Sequence, residues 1–187
     1  KKLSLTARPG FTASEAMAVY VKLLRSATSR RQSDQDFARN LELAGTLRPD
    51  DESYFARMTR ANVLAHRAWL MANERRHQLR LLWDRFFDDW DVMICPAAAS
   101  AAFPHDQKGE RHDRTIPVNG RQVPTTDQLF WAGYSGGFYL PSTVAPAGLT
   151  AQGLPAGVQI IARQFADLVK QLAPAPKNAA TFPAVRV

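Results

Sequence analysis

Residues 140–162, which decide the fold, read LPSTVAPAGLTAQGLPAGVQIIA. Two short runs in this stretch contain β-branched residues, namely residues 142–145 (STVA) and 158–162 (VQIIA), and such runs are typical of strands. The turn between them, residues 148–153, begins and ends with glycine. We therefore expect the second strand to fold back and pair with the first.

A third strand is predicted further upstream. Residues 92–95 (VMIC) form a short apolar run that stops at Pro96, and this pattern indicates a buried strand. A helix is predicted over residues 126–137, between this strand and the one at 142–145. Strand, helix and strand in that order predict an α/β arrangement with a right-handed crossover.

A small hairpin is predicted between the first strand and that helix. Residues 116–118 and 121–123 flank Asn119-Gly120, a dipeptide that tolerates positive φ at both central turn positions. Pro117 cannot donate to a strand ladder, so we expect this hairpin at an edge or on the surface.

Two helix starts carry the pattern of a capping box, in which a hydroxyl and a side chain three residues later satisfy free backbone N–H groups. The first is Thr12 with Glu15, which opens a predicted helix over residues 12–28. The second is Thr125 with Gln128, at the start of the helix before residues 140–162.

The N-terminal half is otherwise helical. A short helix is predicted over residues 37–44, ended by Gly45, and a much longer one over residues 51–87, which no Gly or Pro interrupts. The longer helix would span roughly 55 Å, so we expect a bend or a flanking partner. Three strands are few for so much helix, which predicts a fragment of a mixed α/β sheet flanked by long helices, with part of the fold missing.

Composition limits the class of protein. The chain has 187 residues, 45% hydrophobic and 22% charged, which is typical of a globular domain rather than a disordered or fibrous one. No apolar run reaches the length of a membrane span, and no signal peptide is visible at the start. The single cysteine indicates a reducing compartment, so we expect a cytoplasmic protein.

Positive charge raises the alternative of a nucleic-acid-binding module. The net charge is +7, spread along the chain, and the densest basic cluster is interleaved with acidic residues. That cluster comprises Arg75, Arg76, Arg80 and Arg85. Such a pattern favours a solvated helix face, and nucleic-acid binding rests on the net charge alone.

Three groups of residues could carry chemistry. Ser135, beside Gly136-Gly137, could be a nucleophile, but close helix packing is the favoured interpretation because no Gly-x-Ser-x-Gly motif is present. The repeated dipeptides His105-Asp106 and His112-Asp113 could bind a metal or orient a base, although a solvated loop is favoured. Cys95 is interpreted as an inert buried thiol. These residues give no complete catalytic site, and no metal site or cofactor is predicted.

Three aromatic residues of the predicted helix share one face: Phe130, Trp131 and Tyr134. They could line an apolar pocket for a substrate, or they could belong to the core. We therefore predict that these three residues are the substrate-binding residues.

Four segments follow one another in a characteristic order: DVMICP at 91–96, DQLFWAGYSG at 127–136, LPSTVAPAG at 140–148 and GLPAGVQII at 153–161. Together they resemble the C-terminal part of amidase-signature enzymes. The resemblance covers residues 91–167 and implies a large mixed sheet wrapped by helices. It also implies amide hydrolysis by a serine nucleophile, with a bridging cis-serine and a lysine base.

The resemblance transfers no catalytic residue, because the chain has no Ser-Ser dipeptide and none of its six lysines lies in a matching context. We therefore expect residues 1–172 to be the C-terminal part of an amidase domain, helical over 1–90 and strand-containing over 91–172, with a loose tail over 173–187.

The chain begins at Lys1 rather than Met, which favours a trimmed or partial chain. The segment YSGGF at 134–138 departs from the pattern of tRNA-dependent amidotransferase subunits. This departure favours a stand-alone amidase for small or aryl amides. Exposed edges could promote self-association.

Overall fold

The computed structural model describes residues 3–163, and the predicted tail at 173–187 lies outside them. The N-terminal half is helical and the strands follow it, as the sequence predicts. In chain order the elements are α1 Ala13–Ser29, α2 Asp34–Thr46, α3 Tyr54–Asn62, α4 His66–Asp89, β1 Val92–Pro96, β2 Thr115–Val118, β3 Arg121–Pro124, α5 Leu129–Gly136, β4 Ser142–Leu149 and β5 Pro155–Ala162, with short 3₁₀ turns at Arg111–Asp113 and Thr125–Gln128.

The main sheet has three strands in the order β1-β5-β4, and both pairings are antiparallel. The outer strands β1 and β4 therefore run parallel to each other, and β5 lies between them. Gly157 of β5 permits this pairing, because a Cβ there would lie 2.9 Å from Val144 Cγ1. The strand predicted at 142–145 continues to Leu149 through a bulge at Pro146/Gly148, since the ladder with β5 extends that far.

The hairpin of β2 and β3 is a separate two-stranded sheet, with Thr115 opposite Pro124 and Val118 opposite Arg121. Asn119 and Gly120 both have positive φ, at 51° and 76°. The hairpin predicted from this dipeptide, with positive φ at both central turn positions, is confirmed.

Helix starts differ from the predicted capping boxes. Thr12 caps α1 by accepting from the Glu15 N–H at 3.1 Å, which confirms the threonine half of the box. The carboxylate of Glu15 accepts from Arg75 Nε of α4 at 2.8 Å, so this side chain links two helices. The prediction of a capping box at Thr125 and Gln128 is wrong, because these residues form a 3₁₀ turn without a side-chain cap.

The prediction of a single continuous helix over 51–87 is wrong. It breaks into α3 and α4 at residues 63–65, where Ala65 has the extended backbone φ −63°, ψ 145°. The break lets α3 and α4 both pack against α1, so tertiary packing overrides the helical periodicity. The helix predicted to end at Gly45 likewise runs one residue further, to Thr46.

The core lies where α1, α4 and α5 meet one face of the main sheet. Trp83 of α4 is fully buried at its centre, stacked on Phe87 at 5.5 Å and edge-on to Tyr134 at 5.1 Å. Helix α5 contacts α1 through glycine, since a Cβ on Gly133 would lie 2.2 Å from a ring carbon of Tyr20. Among residues 3–163, no helix is both long and apolar enough to cross a bilayer.

Candidate functional site

A cleft with a volume of about 960 Å³ lies in the described part of the chain. Its walls are the N-terminal segment at residues 3–8, strand β1 and the first turns of α5. Phe130, Trp131 and Tyr134 all line it. The three residues that the sequence analysis singled out thus lie along one apolar cleft.

These three side chains, which we call the aromatic wall, pack on one another. The rings of Phe130 and Trp131 meet edge to face at 4.8 Å, and Phe130 lies 5.1 Å from Tyr134. Tyr134 reaches into the core, whereas Phe130 and Trp131 stay partly exposed. Such rings offer a flat apolar surface on which another aromatic group can pack.

Strand β1 also lines the cleft and carries Cys95 as its second-last residue. The thiol is half-buried, and burial raises the pKa of Cys95 to about 11. It therefore stays protonated at neutral pH, where a nucleophile would need to be a thiolate. The interpretation of Cys95 as an inert thiol agrees with this.

A single arginine borders the aromatic wall from the N-terminal segment. Arg8 donates from Nη1 to the backbone carbonyl of Ala7 at 2.7 Å, which holds its guanidinium beside the cleft. Burial raises the pKa of Tyr134 to about 12, although the positive charge of Arg8 opposes this rise. The phenol is therefore neutral near pH 7 and can serve as a hydrogen-bond donor.

The loop after β1 is held by a side chain that the sequence analysis assigned to a cap. Gln128 Oε1 accepts from the Ala99 N–H at 2.8 Å, and its Nε2 donates to Ser100 Oγ at 2.8 Å. This bidentate contact ties the loop to the start of α5, next to the aromatic wall. The glutamine was recognised in sequence, but its partner lies 29 residues away and no local pattern reveals it.

Ser135 is buried and has no base among its described hydrogen-bond partners. Its Oγ accepts from Gln159 Nε2 at 2.6 Å and lies 3.1 Å from Ser142 Oγ. The packing interpretation holds in part: Gly133 and Gly137 make the close contact with Tyr20, whereas a Cβ at Gly136 would meet nothing within 4 Å. Sequence reasoning did not connect Ser135 with Gln159, although both lie in the segments that carry the resemblance.

The two His-Asp dipeptides are engaged in separate local structure. The His112 ring packs on Phe55 at 4.9 Å, and its Nε2 lies 3.7 Å from Asp113 Oδ1. Asp106 accepts from the Lys108 N–H at 3.0 Å. Within residues 3–163, no cluster of three or more His, Cys, Asp or Glu side chains could hold a metal ion.

The basic cluster on α4 is also engaged. Arg75 binds Glu15 and donates to Gln78 Oε1 at 2.7 Å. Arg76 and Arg80 both lie over the ring of Tyr139, at 4.3 and 5.3 Å from its centroid. The predicted solvated helix face therefore holds in part, because Arg85 is exposed whereas Arg75, Arg76 and Arg80 are partly buried.

Comparison with known proteins places the chain in a family. The family model described as Amidase matches residues 9–169. An acylamidase of Rhodococcus erythropolis is 36% identical over 104 residues, which cover 56% of this chain and 20% of that protein. An indoleacetamide hydrolase of Bradyrhizobium diazoefficiens is 32% identical over 127 residues, 65% of this chain and 22% of that protein.

The fold agrees with this match. The crystal structure of a bacterial aryl acylamidase of the amidase-signature family superposes with a TM-score of 0.55 at 18% identity, covering 87% of this chain and 33% of that one. The matched region thus spans about a fifth of the length of the two curated relatives. On the family match over most of its length, this chain belongs to the amidase-signature family.

Proposed function

We propose that the complete protein hydrolyses a carboxylic amide, and that this chain supplies the C-terminal part of the amidase domain. The observation that carries the proposal is the apolar cleft bounded by the aromatic wall, Phe130, Trp131 and Tyr134. Apolar clefts with a few polar groups are the usual sites for small molecules. An amide with an aryl or other apolar acyl group fits such a surface.

The relatives support this substrate class. One is named an acylamidase, and the name of another includes an amide that carries an indole ring. The rings of Trp131 and Phe130 meet edge to face, which leaves one face of the wall for a further ring. We propose that the acyl group of the substrate packs there.

The chemistry proposed for the complete protein is an acyl transfer through serine. The serine oxygen attacks the amide carbonyl carbon, the C–N bond breaks, and ammonia or an amine leaves with a proton. Water then attacks the resulting ester, which releases the acid and restores the serine hydroxyl. We propose that the serines and the lysine that perform these steps lie outside the 187 residues, because the chain has no Ser-Ser pair.

The test is hydrolysis of phenylacetamide by the purified 187-residue chain, followed as released ammonia. We expect no turnover above the buffer blank. Ser135→Ala is the matched control, since Ser135 is the serine with the most suggestive sequence context. Turnover by the wild-type chain would contradict the proposal that the nucleophile lies elsewhere in the complete protein, and its loss in Ser135→Ala would identify Ser135 as the nucleophile.

Binding provides the positive arm of the test. Phenylacetamide should quench the fluorescence of Trp131, and Trp131→Phe should abolish the ligand-dependent part of the signal. Acetamide, which lacks the ring, should bind more weakly. Equal affinities for the two amides would contradict the proposed role of the aromatic wall.

A further inference from the structure

Gln159 is a polar side chain in the middle of the apolar face of the sheet. It lies on the central strand β5 and is 4% exposed. Ile161 lies two residues further along β5, on the same face, and is fully buried. Met93 of β1 lies opposite Ile161 and is also buried. A buried amide in such surroundings lowers stability unless it is hydrogen-bonded, so its contacts need an explanation.

Its amide nitrogen reaches helix α5. Gln159 Nε2 donates to Ser135 Oγ at 2.6 Å, and that hydroxyl lies 3.1 Å from Ser142 Oγ at the start of β4. The carbonyl of Ser135 also accepts from the N–H groups of Phe138 and Leu140, at 3.1 and 3.2 Å. The last turn of α5 is therefore tied to both β5 and β4.

The opposite side of α5 offers little that would fix the helix in position. There Gly133 and Gly137 press on the flat ring of Tyr20, with no room for a Cβ at either glycine. A smooth contact of this kind opposes separation of two elements but resists sliding and rotation weakly, because no side chain interlocks. The directional hydrogen bond from the sheet to Ser135 therefore adds to the packing of Tyr134 against Trp83 in fixing the register of α5.

The aromatic wall lies on the same short helix. Ser135 directly follows Tyr134 and comes one helical turn after Trp131. Ser135 and Trp131 are therefore neighbours on the helix surface. A shift of Ser135 would therefore move Trp131 relative to strand β1 across the cleft.

We propose that Gln159 is a positioning residue, which sets the placement of the aromatic wall through its hydrogen bond to Ser135. Gln159 itself is not among the residues that line the cleft. The effect on ligand binding rests on the proposed function, whereas the effect on the position of Trp131 does not.

The experiment uses the 187-residue chain with 5-fluorotryptophan incorporated, so that its four tryptophans give separate ¹⁹F resonances. Trp131→Phe assigns the resonance of interest. Gln159→Leu should shift the Trp131 resonance and weaken phenylacetamide binding about fivefold, the size expected from one net hydrogen bond. Ser135→Ala should do the same, and the double variant should be no worse than either single one.

The matched control is Ile161→Val, on the same face of the same strand. It removes buried volume and lowers the melting temperature, but it should leave the Trp131 resonance and the affinity unchanged. If Gln159→Leu does not fold, Gln159→Glu keeps the length of the side chain, and Ser135→Ala still tests the contact from the helix side.

The outcomes separate the two proposals. Additive effects of Gln159→Leu and Ser135→Ala, or an unshifted Trp131 resonance in both, would overturn the positioning role. If the wild-type chain does not bind phenylacetamide but both variants still shift the Trp131 resonance, the positioning role stands and the proposed aryl site fails.

Discussion

Replacing Gly133 by alanine tests the packing of α5 on α1 directly. A Cβ at this position would lie 2.2, 2.5 and 2.6 Å from Tyr20 Cδ1, Cε1 and Cγ. The clash involves the base of the ring as well as its side, so a small rotation of the ring does not relieve it, and α1 or α5 must move. Overpacking of this kind costs about 1–3 kcal/mol.

Gly136, three residues along the same helix, is the matched control. A Cβ there meets nothing within 4 Å, and Gly→Ala within a helix contributes up to about 1 kcal/mol of stability. At roughly 2–4 °C per kcal/mol for a chain of this size, Gly133→Ala should lower the melting temperature by about 2–12 °C. Gly136→Ala should leave it unchanged or raise it slightly.

The assay is thermal and urea unfolding followed by far-ultraviolet circular dichroism. A second variant, Tyr20→Ala, identifies the partner: in its background Gly133→Ala should no longer destabilise the chain, because the ring that causes the clash is gone. Equal stabilities for Gly133→Ala and Gly136→Ala would refute the reasoning, and so would an undiminished effect of Gly133→Ala without the Tyr20 ring.

Three further predictions concern single residues. Because burial raises the pKa of Cys95 to about 11 from 9.0, its alkylation by iodoacetamide at pH 8 should be about 100-fold slower than in the urea-unfolded chain; comparable rates would contradict this. The same raised pKa means that the thiol's contribution to the free energy of unfolding is full below about pH 9 and is lost as the pH rises from there to about 11, which urea titrations across that range measure. Gly120→Ala should cost about 1–2 kcal/mol in urea unfolding because its φ is 76°. Gly45→Ala, in the last turn of α2, should instead add up to about 1 kcal/mol, and the opposite order would exclude these backbone conformations.

Local sequence patterns predicted the elements whose causes are local. The Asn119-Gly120 turn depends on the backbone freedom of two residues, and the start of α1 depends on a hydroxyl three positions from the N–H that it caps. The pairing of residues 142–145 with 158–162 follows from a short turn between them. In each case the decisive interaction spans only a few residues, so the sequence shows both partners together.

The predictions that failed depend on distant partners. Residues 51–87 look like one helix because their periodicity is continuous, but the gain from packing both α3 and α4 on α1 exceeds the cost of breaking the helix. Gln128 looks like a capping residue, but its side chain bonds to the loop at Ala99 instead. Sequence spacing carries no information about such contacts.

The amino-acid sequence by itself determined the strands, the hairpin, the helical N-terminal half and the motifs that resemble the amidase family. It also identified Phe130, Trp131 and Tyr134 as a shared helix face. Only the tertiary structure decided that β5 lies between β1 and β4, that this helix face borders a cleft, and that Gln159 reaches Ser135. The physical reason is the sequence separation over which each interaction acts. Helix propensity, capping and turn chemistry act over a few residues. The order of the strands and the contact between Gln159 and Ser135, which are 24 residues apart, depend on how the whole chain packs.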